Sequence, residues 1–175
     1  IAAAVIPKDR RLYKVRDSKA LNEKDLIPSE SVTVVLSDKG WARVGKGHDL
    51  DVQGLNYRSG DGFRASARGK SNQPAVFLDS AGRAFATDAH SLPSARSQGE
   101  PMTGRFNLTP GANFEHVVMS EDEQVLLMAS DAGYGFITDF KDLVSKNKNG
   151  KALVSVPKGG ILLSPIRVND VASDY

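Results

Sequence analysis

Residues 32–44 read VTVVLSDKGWARV: an apolar run, a tight polar turn that ends in glycine, and a second apolar run. The same arrangement returns at residues 74–86, PAVFLDSAGRAFA, and at residues 125–137, VLLMASDAGYGFI. Runs of Val, Leu and Phe favour β-strands, and small polar residues followed by glycine favour a hairpin turn between them. The sequence therefore predicts three β-hairpins of one design.

The hairpins recur at a nearly constant spacing. Their turn glycines, Gly40, Gly82 and Gly133, are 42 and 51 positions apart (82 − 40 and 133 − 82). A second glycine-containing turn follows each hairpin, at residues 59–62, 109–112 and 157–160. Repeats of this length are typical of propeller-like arrays, in which no single unit can bury its own apolar face. We expect an all-β fold of about three four-stranded blades that forms a fragment of a longer array.

The repeat also suggests where domain boundaries lie. Residues 1–27 are polar and basic after a short apolar start, and we interpret them as an N-terminal linker segment. Pro28 marks the boundary, because the residue before a proline is pushed out of helical geometry. The domain would then cover residues 28–175, and its units are expected at roughly 28–72, 73–122, 123–160 and, as the start of the next unit, 161–175. A short helix is possible at residues 18–26, and from residue 32 on only residues 139–144 favour a helix, which would be a single turn.

Charge is strongly segregated along the chain, although the net charge is only +2. Residues 39–105 carry ten basic and six acidic groups, residues 106–140 carry six acidic groups and no Lys or Arg, and residues 141–158 carry five lysines and one aspartate. Such blocks can be nothing more than solvated faces. They can also form a directional basic stripe that attracts a polyanion.

Several classes of function lack support in the sequence. There is no cysteine, which excludes disulfides, thiol catalysis and Cys-based zinc sites. The longest apolar run, Ile1 to Ile6, is too short to span a bilayer. His48, His90 and His116 are not at metal-ligand spacing, and neither a nucleophile elbow nor a P-loop is present. The acidic turn 121–123 could bind a hard cation, but exposed acidic turns usually do not.

The basic loops are better candidates for a binding site. Lys and Arg side chains separated by Gly, Ser and Asn let cations and backbone N–H groups approach phosphates together. Trp41 could stack on nucleic acid, or it could pack in a hairpin core; His48 could contact a phosphate, or it could make a hydrogen bond within its loop. The candidate DNA-binding residues are Lys39, Arg43, Lys46, His48, Arg58, Arg64, Arg68, Lys70, Arg83, Arg96, Arg105, Lys146, Lys148 and Lys151.

Five stretches carry a resemblance to a known family. They are residues 28–41 (PSESVTVVLSDKGW), 45–51 (GKGHDLD), 69–74 (GKSNQP), 92–101 (LPSARSQGEP) and 128–136 (MASDAGYGF). In this order they resemble the C-terminal domain of the A subunit of bacterial topoisomerase IV, a type IIA topoisomerase protein related to the A subunit of gyrase. The resemblance covers about residues 22 to 157.

The resemblance implies a β-pinwheel that binds double-stranded DNA along a positively charged rim and bends it. It implies that the domain presents DNA to the catalytic core of its own polypeptide and tunes the preference for supercoil relaxation and decatenation. The B subunit of topoisomerase IV and a condensin-type protein are further implied partners, in the bacterial cytoplasm and on the chromosome. No membrane partner is expected.

The same resemblance implies that this chain is not an enzyme on its own. The parent topoisomerase cleaves DNA through a tyrosine that follows an arginine, and none of the tyrosines here has that context: Tyr13, Tyr57, Tyr134 and Tyr175. ATP and Mg²⁺ would act in other domains, and no cofactor or metal is expected in this one.

One departure limits the expected function. The gyrase domain carries a basic box of the type Gln-Arg-Arg-Gly-Gly-Lys-Gly, and residues 94–99 and 149–152 hold only degenerate counterparts. The sequence therefore predicts DNA bending rather than full wrapping. The alternative is a protein-interaction propeller that docks the topoisomerase core or a chromosome-organising partner.

Overall fold

Three antiparallel sheets make up the part of the chain that the computed structural model describes, residues 26–169. This confirms the expected all-β class. The α-helical turn Phe140–Leu143 confirms the helix predicted at residues 139–144. The 3₁₀ turns Ala89–Ser91 and Met102–Gly104 were not predicted, and nearly all of the possible helix at residues 18–26 lies outside the described residues. The strands are β1 (Ser31–Ser37), β2 (Trp41–Lys46), β3 (Phe63–Lys70), β4 (Pro74–Asp79), β5 (Arg83–Asp88), β6 (Glu100–Pro101), β7 (Phe114–Val118), β8 (Val125–Ala129), β9 (Gly135–Asp139), β10 (Lys151–Ala152) and β11 (Ile166–Val168). Most of the expected linker segment, residues 1–25, lies outside the described residues.

The three predicted hairpins are present and share one turn geometry. They are β1–β2, β4–β5 and β8–β9. In each turn the glycine amide donates to the carbonyl three residues earlier: the distances are 3.0 Å for Gly40, 3.1 Å for Gly82 and 3.1 Å for Gly133. All three glycines have positive φ angles, between 77° and 83°. The repeat in the sequence therefore corresponds to a repeat in backbone conformation.

A third strand joins each hairpin on the side of its first strand. β3 pairs with β1, β7 pairs with β4, and β11 pairs with β8. In the first two sheets the register shifts at the same point, between Leu36 and Ser37 and between Leu78 and Asp79. Such bulges bend a strand and increase its twist. The first strands of the first two hairpins, β1 and β4, are therefore irregular at the same position, next to the hairpin turn.

The fourth strand of the first two sheets comes from the following unit. β6 follows the second hairpin in the chain but pairs with β2 of the first sheet, through Trp41 and Ala42. β10 follows the third hairpin but pairs with β5 of the second sheet, through Arg83 and Ala84. The resulting orders are β3-β1-β2-β6 and β7-β4-β5-β10, whereas the third sheet has three strands, β11-β8-β9, within residues 26–169. Each complete sheet therefore includes a strand from the next repeat.

Two apolar clusters hold the sheets together. The first contains Val34 and Leu36 of β1 with Phe77, and the second contains Leu126 and Leu78. Strand β4 contributes to both clusters because its side chains alternate between the two faces of its sheet. The aromatic rings of Phe77, Phe85, Phe106 and Phe114 pack within the first cluster, with centroid distances of 5.2 to 6.3 Å.

The exchanged strands begin at glycines that a larger residue could not replace without strain. Gly99 precedes β6 with φ of 86°, and Gly150 precedes β10 with φ of 71°. A methyl group added at Gly150 would lie 2.8 Å from the ring of Phe85 and 3.0 Å from the carbonyl oxygen of Ala84. The glycine thus allows the incoming chain to approach the neighbouring sheet closely.

We predict that Gly150→Ala destabilises the fold by about 1–3 kcal/mol, since it combines a left-handed backbone with overpacking against a buried ring. Gly159→Ala is the matched control, because Gly159 has a φ of 85° but no atom within 4 Å of an added methyl group. The measurement is urea unfolding of both variants. If Gly150→Ala and Gly159→Ala lower the free energy of unfolding equally, the close approach to Phe85 does not contribute to the effect.

The turn of the second hairpin contains a buried carboxylate. Asp79 is 0% exposed, and its Oδ1 accepts hydrogen bonds from the amides of Ala81 (3.0 Å) and Arg83 (2.8 Å). Its Oδ2 is buried and has no partner among the described residues. Burial raises the pKa of Asp79 above its usual 3.8, although the hydrogen bonds from these amides act in the opposite direction. The equivalent turn position holds a neutral serine in the other hairpins, Ser37 and Ser130.

We predict that Asp79→Asn changes how stability depends on pH. In the window above pH 3.8 the folded chain keeps the Asp79 proton after the unfolded chain has lost it, so stability falls as pH rises through the raised pKa. The Asn variant lacks this fall and gains stability relative to the parent as pH rises through the window. Chemical unfolding at several pH values measures the difference, and the same substitution at exposed Asp88 controls for the loss of one negative charge. A constant difference between Asp79→Asn and the parent at all pH values would contradict this account.

Candidate nucleic-acid interface

The candidate basic residues do not share one edge of the fold. Strand order places β3 and β7 at one edge of their sheets and the exchanged strands β6 and β10 at the other. We call the second side the outer edge: residues 92–101 with Lys46 in the first sheet, and residues 144–152 with Arg83 in the second. The inner edge is formed by β3 and β7. Most of the candidate DNA-binding residues lie on one or the other of these two edges.

On the first sheet, the loop 92–99 runs along the free side of β2 before it enters β6. The amide of Val44 donates to the carbonyl of Pro93 at 2.9 Å, and the amide of Ala95 donates back to the carbonyl of Val44 at 2.8 Å. This pairing fixes Arg96 beside the strand. Arg96, Lys46 and Leu50 line the same cleft.

On the second sheet, the loop 144–150 also lies beside β5, but its backbone bonds to Asn107 instead of to the strand: the amide of Asn107 donates to the carbonyl of Lys148 at 2.8 Å. Arg83 donates from Nη1 to the carbonyl of Asn149 at 2.6 Å, and Lys151 donates from Nζ to the carbonyl of Asp142 at 2.6 Å. Lys146 and Lys148 are exposed, and their side chains have no ionic or hydrogen-bond partner within residues 26–169. Their cations are therefore free to meet an external anion.

The two outer-edge loops end in the same way. Gly99 and Gly150 both have positive φ, both precede an exchanged strand, and they are 51 positions apart (150 − 99), as are Gly82 and Gly133. The sequence indicated these loops only as degenerate basic boxes and did not indicate the exchange itself. The 51-residue spacing of the loop glycines was the signal that could have revealed it.

The inner edge carries a second set of basic side chains. Arg64, Arg68 and Lys70 are exposed and alternate along β3, so they lie on one face of that strand. Arg64 is engaged by Asp38 at 3.5 Å and by Glu115 at 3.4 Å. These residues lie at the opposite edge of the first sheet from Arg96.

Arg43 requires a correction, because it is not a surface residue. Its side chain is buried, with 2% of the residue exposed, and its Nη1 donates to the carbonyls of Asn56 (3.0 Å) and Ser97 (2.7 Å). The guanidinium also lies over the ring of Tyr57, 4.6 Å from its centroid. A group enclosed in this way cannot reach a phosphate, so Arg43 is excluded from the candidate interface.

Arg105 and His48 are also occupied by contacts within the fold. Arg105 pairs with Glu100 and donates to the hydroxyl and the carbonyl of Ser91, at 2.8 Å and 2.7 Å. The Nε2 of His48 lies 3.0 Å from the carbonyl of Gly69 on β3, so this side chain bonds to a neighbouring strand and not within its own loop. Both side chains therefore tie loops to sheets.

The tip of the first hairpin holds Lys39 and Arg58. Arg58 lies over the ring of Trp41, 4.2 Å from its centroid, so the indole is partly covered by a cation. The Oδ1 of Asp61 accepts from the amides of Lys39 (3.0 Å) and Gly62 (2.9 Å). Burial would raise the pKa of Asp61, but hydrogen bonds from Ser37 and from these amides outweigh it and lower the pKa. The ionised carboxylate offsets part of the positive charge at this tip.

The acidic block has a separate location. The turn 121–123 is exposed and lines a groove that also contains Lys70 and Lys141. Within residues 26–169 no three His, Cys, Asp or Glu residues form a group that could hold a metal ion. In the same part of the chain, no helix has the length and apolar character needed to cross a bilayer.

Comparisons with known proteins show clear relatives. The chain is 54% identical over 168 residues to the A subunit of DNA topoisomerase 4 from Escherichia coli K12, 55% identical over 159 residues to that from Pseudomonas aeruginosa, and 32% identical over 142 residues to that from Neisseria gonorrhoeae. These matches cover 95%, 91% and 79% of this chain but only 22%, 21% and 18% of the relatives. The chain thus spans about a fifth of their length. A scan against protein-family models found no match.

Solved structures place the similarity in one domain. The C-terminal domain of E. coli ParC matches with a TM-score of 0.77 and 56% identity, over 81% of this chain and 58% of that one. A C-terminal domain of DNA topoisomerase IV matches with a TM-score of 0.63 at 12% identity, over 82% of this chain and 47% of that one, which supports the fold alone. The chain therefore belongs to the family of C-terminal β-pinwheel domains of the topoisomerase IV A subunit, as its resemblance to that family led us to expect.

Proposed function

We propose that this domain binds double-stranded DNA without sequence preference along its outer edge and bends it. The observation that carries the proposal is the repeated loop. On two consecutive sheets, the segment that leads into the exchanged strand lies beside the second hairpin strand, and it presents Arg96 on one sheet and Lys146 and Lys148 on the next. Lys151 lies beside the second loop, and Lys46 lies beside the first loop, where Glu30 pairs with it at 3.3 Å.

The chemistry of these loops suits a phosphate backbone. Arg96 is flanked by Ala95 and Ser97, and Lys148 by Asn147 and Asn149, so small or polar neighbours leave the cations accessible. Contacts of this kind position a protein on DNA without reading bases. Each neutralised phosphate releases counterions, so affinity falls as salt rises.

Bending follows if one duplex contacts both sheets. DNA resists bending over less than about 150 bp, and curving a short site costs about 1–6 kcal/mol. Phosphate contacts distributed over two consecutive outer edges can offset this cost. The absence of a full basic box from residues 94–99 and 149–152 favours a bend over complete wrapping.

In the parent enzyme, such a domain would present a DNA segment to the catalytic core of its own polypeptide. It would thereby tune the preference of the enzyme for supercoil relaxation or for decatenation. Chemistry and ATP use would belong to other parts of the holoenzyme, including its B subunit, in the bacterial cytoplasm and on the chromosome. The two described tyrosines do not suggest a nucleophile: the hydroxyl of Tyr57 donates to the carbonyl of Val52, and Tyr134 lies in an exposed hairpin turn.

A protein-interaction role has one specific observation in its favour. Large apolar side chains are exposed around the third sheet, in contrast to the covered faces of the first two. A chromosome-organising protein or the topoisomerase core could contact this surface. The residues are Tyr134, Ile137, Ile161, Leu163 and Ile166.

We predict that neutralising the outer edge weakens DNA binding more than neutralising the inner edge. Arg96→Gln with Lys148→Gln should reduce the slope of log affinity against log salt by about 1.8, or roughly 0.9 for each lost phosphate contact. Arg68→Gln with Lys70→Gln removes the same charge from β3 and is the matched control. Fluorescence anisotropy with a linear duplex across a salt series measures both slopes.

Equal slopes for the outer-edge variant and the parent would remove these loops from the binding site. A larger loss in the β3 variant would move the site to the inner edge. If the parent chain does not bind DNA at low salt but co-purifies with the topoisomerase core, the protein-interaction role replaces the present proposal.

We also predict that the domain accelerates ring closure of a DNA fragment of about 150 bp, since a bend brings the fragment ends together. Ligation in the presence of the parent chain should yield more monomeric circles than ligation without protein. The outer-edge variant, tested at a concentration that restores full occupancy, should yield fewer circles than the parent. Unchanged circle formation by the parent at full occupancy would indicate binding without bending.

A further inference from the structure

Arg43 occupies an unusual position for a charged residue. It lies on β2 opposite Val35 of β1, between Ala42 and Val44, whose side chains pack on the first apolar cluster. Because side chains alternate along a strand, Arg43 and Val35 face the other side of the sheet. The loop 47–62 covers that side, and Arg43 is left with 2% of its surface exposed.

The buried cation is held by neutral groups only. None of the ion pairs within residues 26–169 includes Arg43. Its Nη1 donates to two backbone carbonyls, those of Asn56 and Ser97, and its plane lies over Tyr57, while Nη2 has no partner among the described residues. Burying a charge without a counter-ion costs free energy. The hydrogen bonds that Arg43 donates offset part of this cost, and they connect the groups that accept them.

The two carbonyls belong to different loops. Asn56 lies in the loop 47–62, which also carries Arg58, and Ser97 directly follows Arg96 in the loop 92–99. The amide of Ala95 in the second loop pairs with Val44, the residue next to Arg43. One guanidinium thus connects a central hairpin strand to two basic surface loops.

We propose that Arg43 is a positioning residue for DNA binding: it fixes the loop that presents Arg96 at the outer edge without contacting DNA itself. This inference rests on the proposed function. Lysine is not equivalent, because an ammonium lacks the planar guanidinium that can donate to loop carbonyls while it stacks on an aromatic ring.

The test uses the full chain with the single variants Arg43→Gln, Arg43→Lys and Arg96→Gln and the double variant Arg43→Gln/Arg96→Gln. Loss of one phosphate contact should lower affinity by about fivefold at about 0.15 M salt. We expect Arg43→Gln to approach the loss of Arg96→Gln, and the double variant to lose little more than either one. Such non-additivity is the signature of residues that act through each other.

Two further readouts separate positioning from general stability. Hydrogen exchange at the amide of Ala95 should accelerate in both Arg43 variants, because the loop is released from β2. Arg43→Lys should lose nearly as much affinity as Arg43→Gln, since the charge remains but the planar donor geometry is lost. As a control, Arg68→Gln should combine additively with Arg43→Gln, because Arg68 lies at the opposite edge of the sheet.

Three outcomes would overturn the proposal. They are additive losses of DNA affinity in Arg43→Gln/Arg96→Gln, the affinity of the parent chain in Arg43→Lys, and an unchanged rate of amide hydrogen exchange at Ala95. If Arg43→Gln does not fold, Arg43→Lys and its exchange pattern decide the question. If Arg96→Gln alone leaves affinity unchanged, Arg96 does not contact DNA and the proposed role of Arg43 in DNA binding is wrong, whereas the salt-slope test with Lys148→Gln still decides the outer-edge site.

Discussion

The exchange of an outer strand between neighbouring repeats is the constraint on which the rest of the structure depends. A three-stranded sheet leaves one side of its hairpin unpaired, and an unpaired strand edge is a liability. Here β6 and β10 close the edges of the first two sheets, and each arrives from the following repeat. The exchange needs a glycine at its start, because at Gly99 and Gly150 the incoming backbone approaches the neighbouring strand too closely for a side chain. Folding of one sheet is therefore coupled to the repeat after it.

The same exchange determines where the basic loops lie. The segments 92–99 and 144–150 must run beside β2 and β5 in order to reach the edges that they complete. Their cations are thereby placed on consecutive sheets instead of on one. Arg43 donates a hydrogen bond to the carbonyl of Ser97, and Arg83 donates one to the carbonyl of Asn149, so each of the two basic loops is tied to a hairpin strand. Preorganisation of this kind lowers the entropy lost when a ligand binds.

The repeated architecture could be predicted from the sequence, and the detailed site could not. The hairpins follow from local chemistry, since turns such as 37–40 specify themselves through a polar residue and a glycine. Apolar residues along β4 indicated a strand, but its burial on both faces depends on a third sheet. Arg43 and Arg96 look alike in the sequence, yet one is enclosed and the other exposed. Tertiary contacts separate them: Arg43 is enclosed by Asn56 and Tyr57 of the loop that follows its strand and by Ser97, which is 54 positions away.

The sequence by itself determined the all-β class, the three hairpins, the α-helical turn after β9 and the family, because each depends on residues that are close together along the chain or on a continuous motif. The tertiary structure alone decided the strand exchange, the separation of outer and inner edges and the burial of Arg43. These features depend on which distant segment pairs with a strand edge and which side chains fill the space between sheets. Backbone hydrogen bonding and close packing determine both, and neither can be evaluated from local sequence.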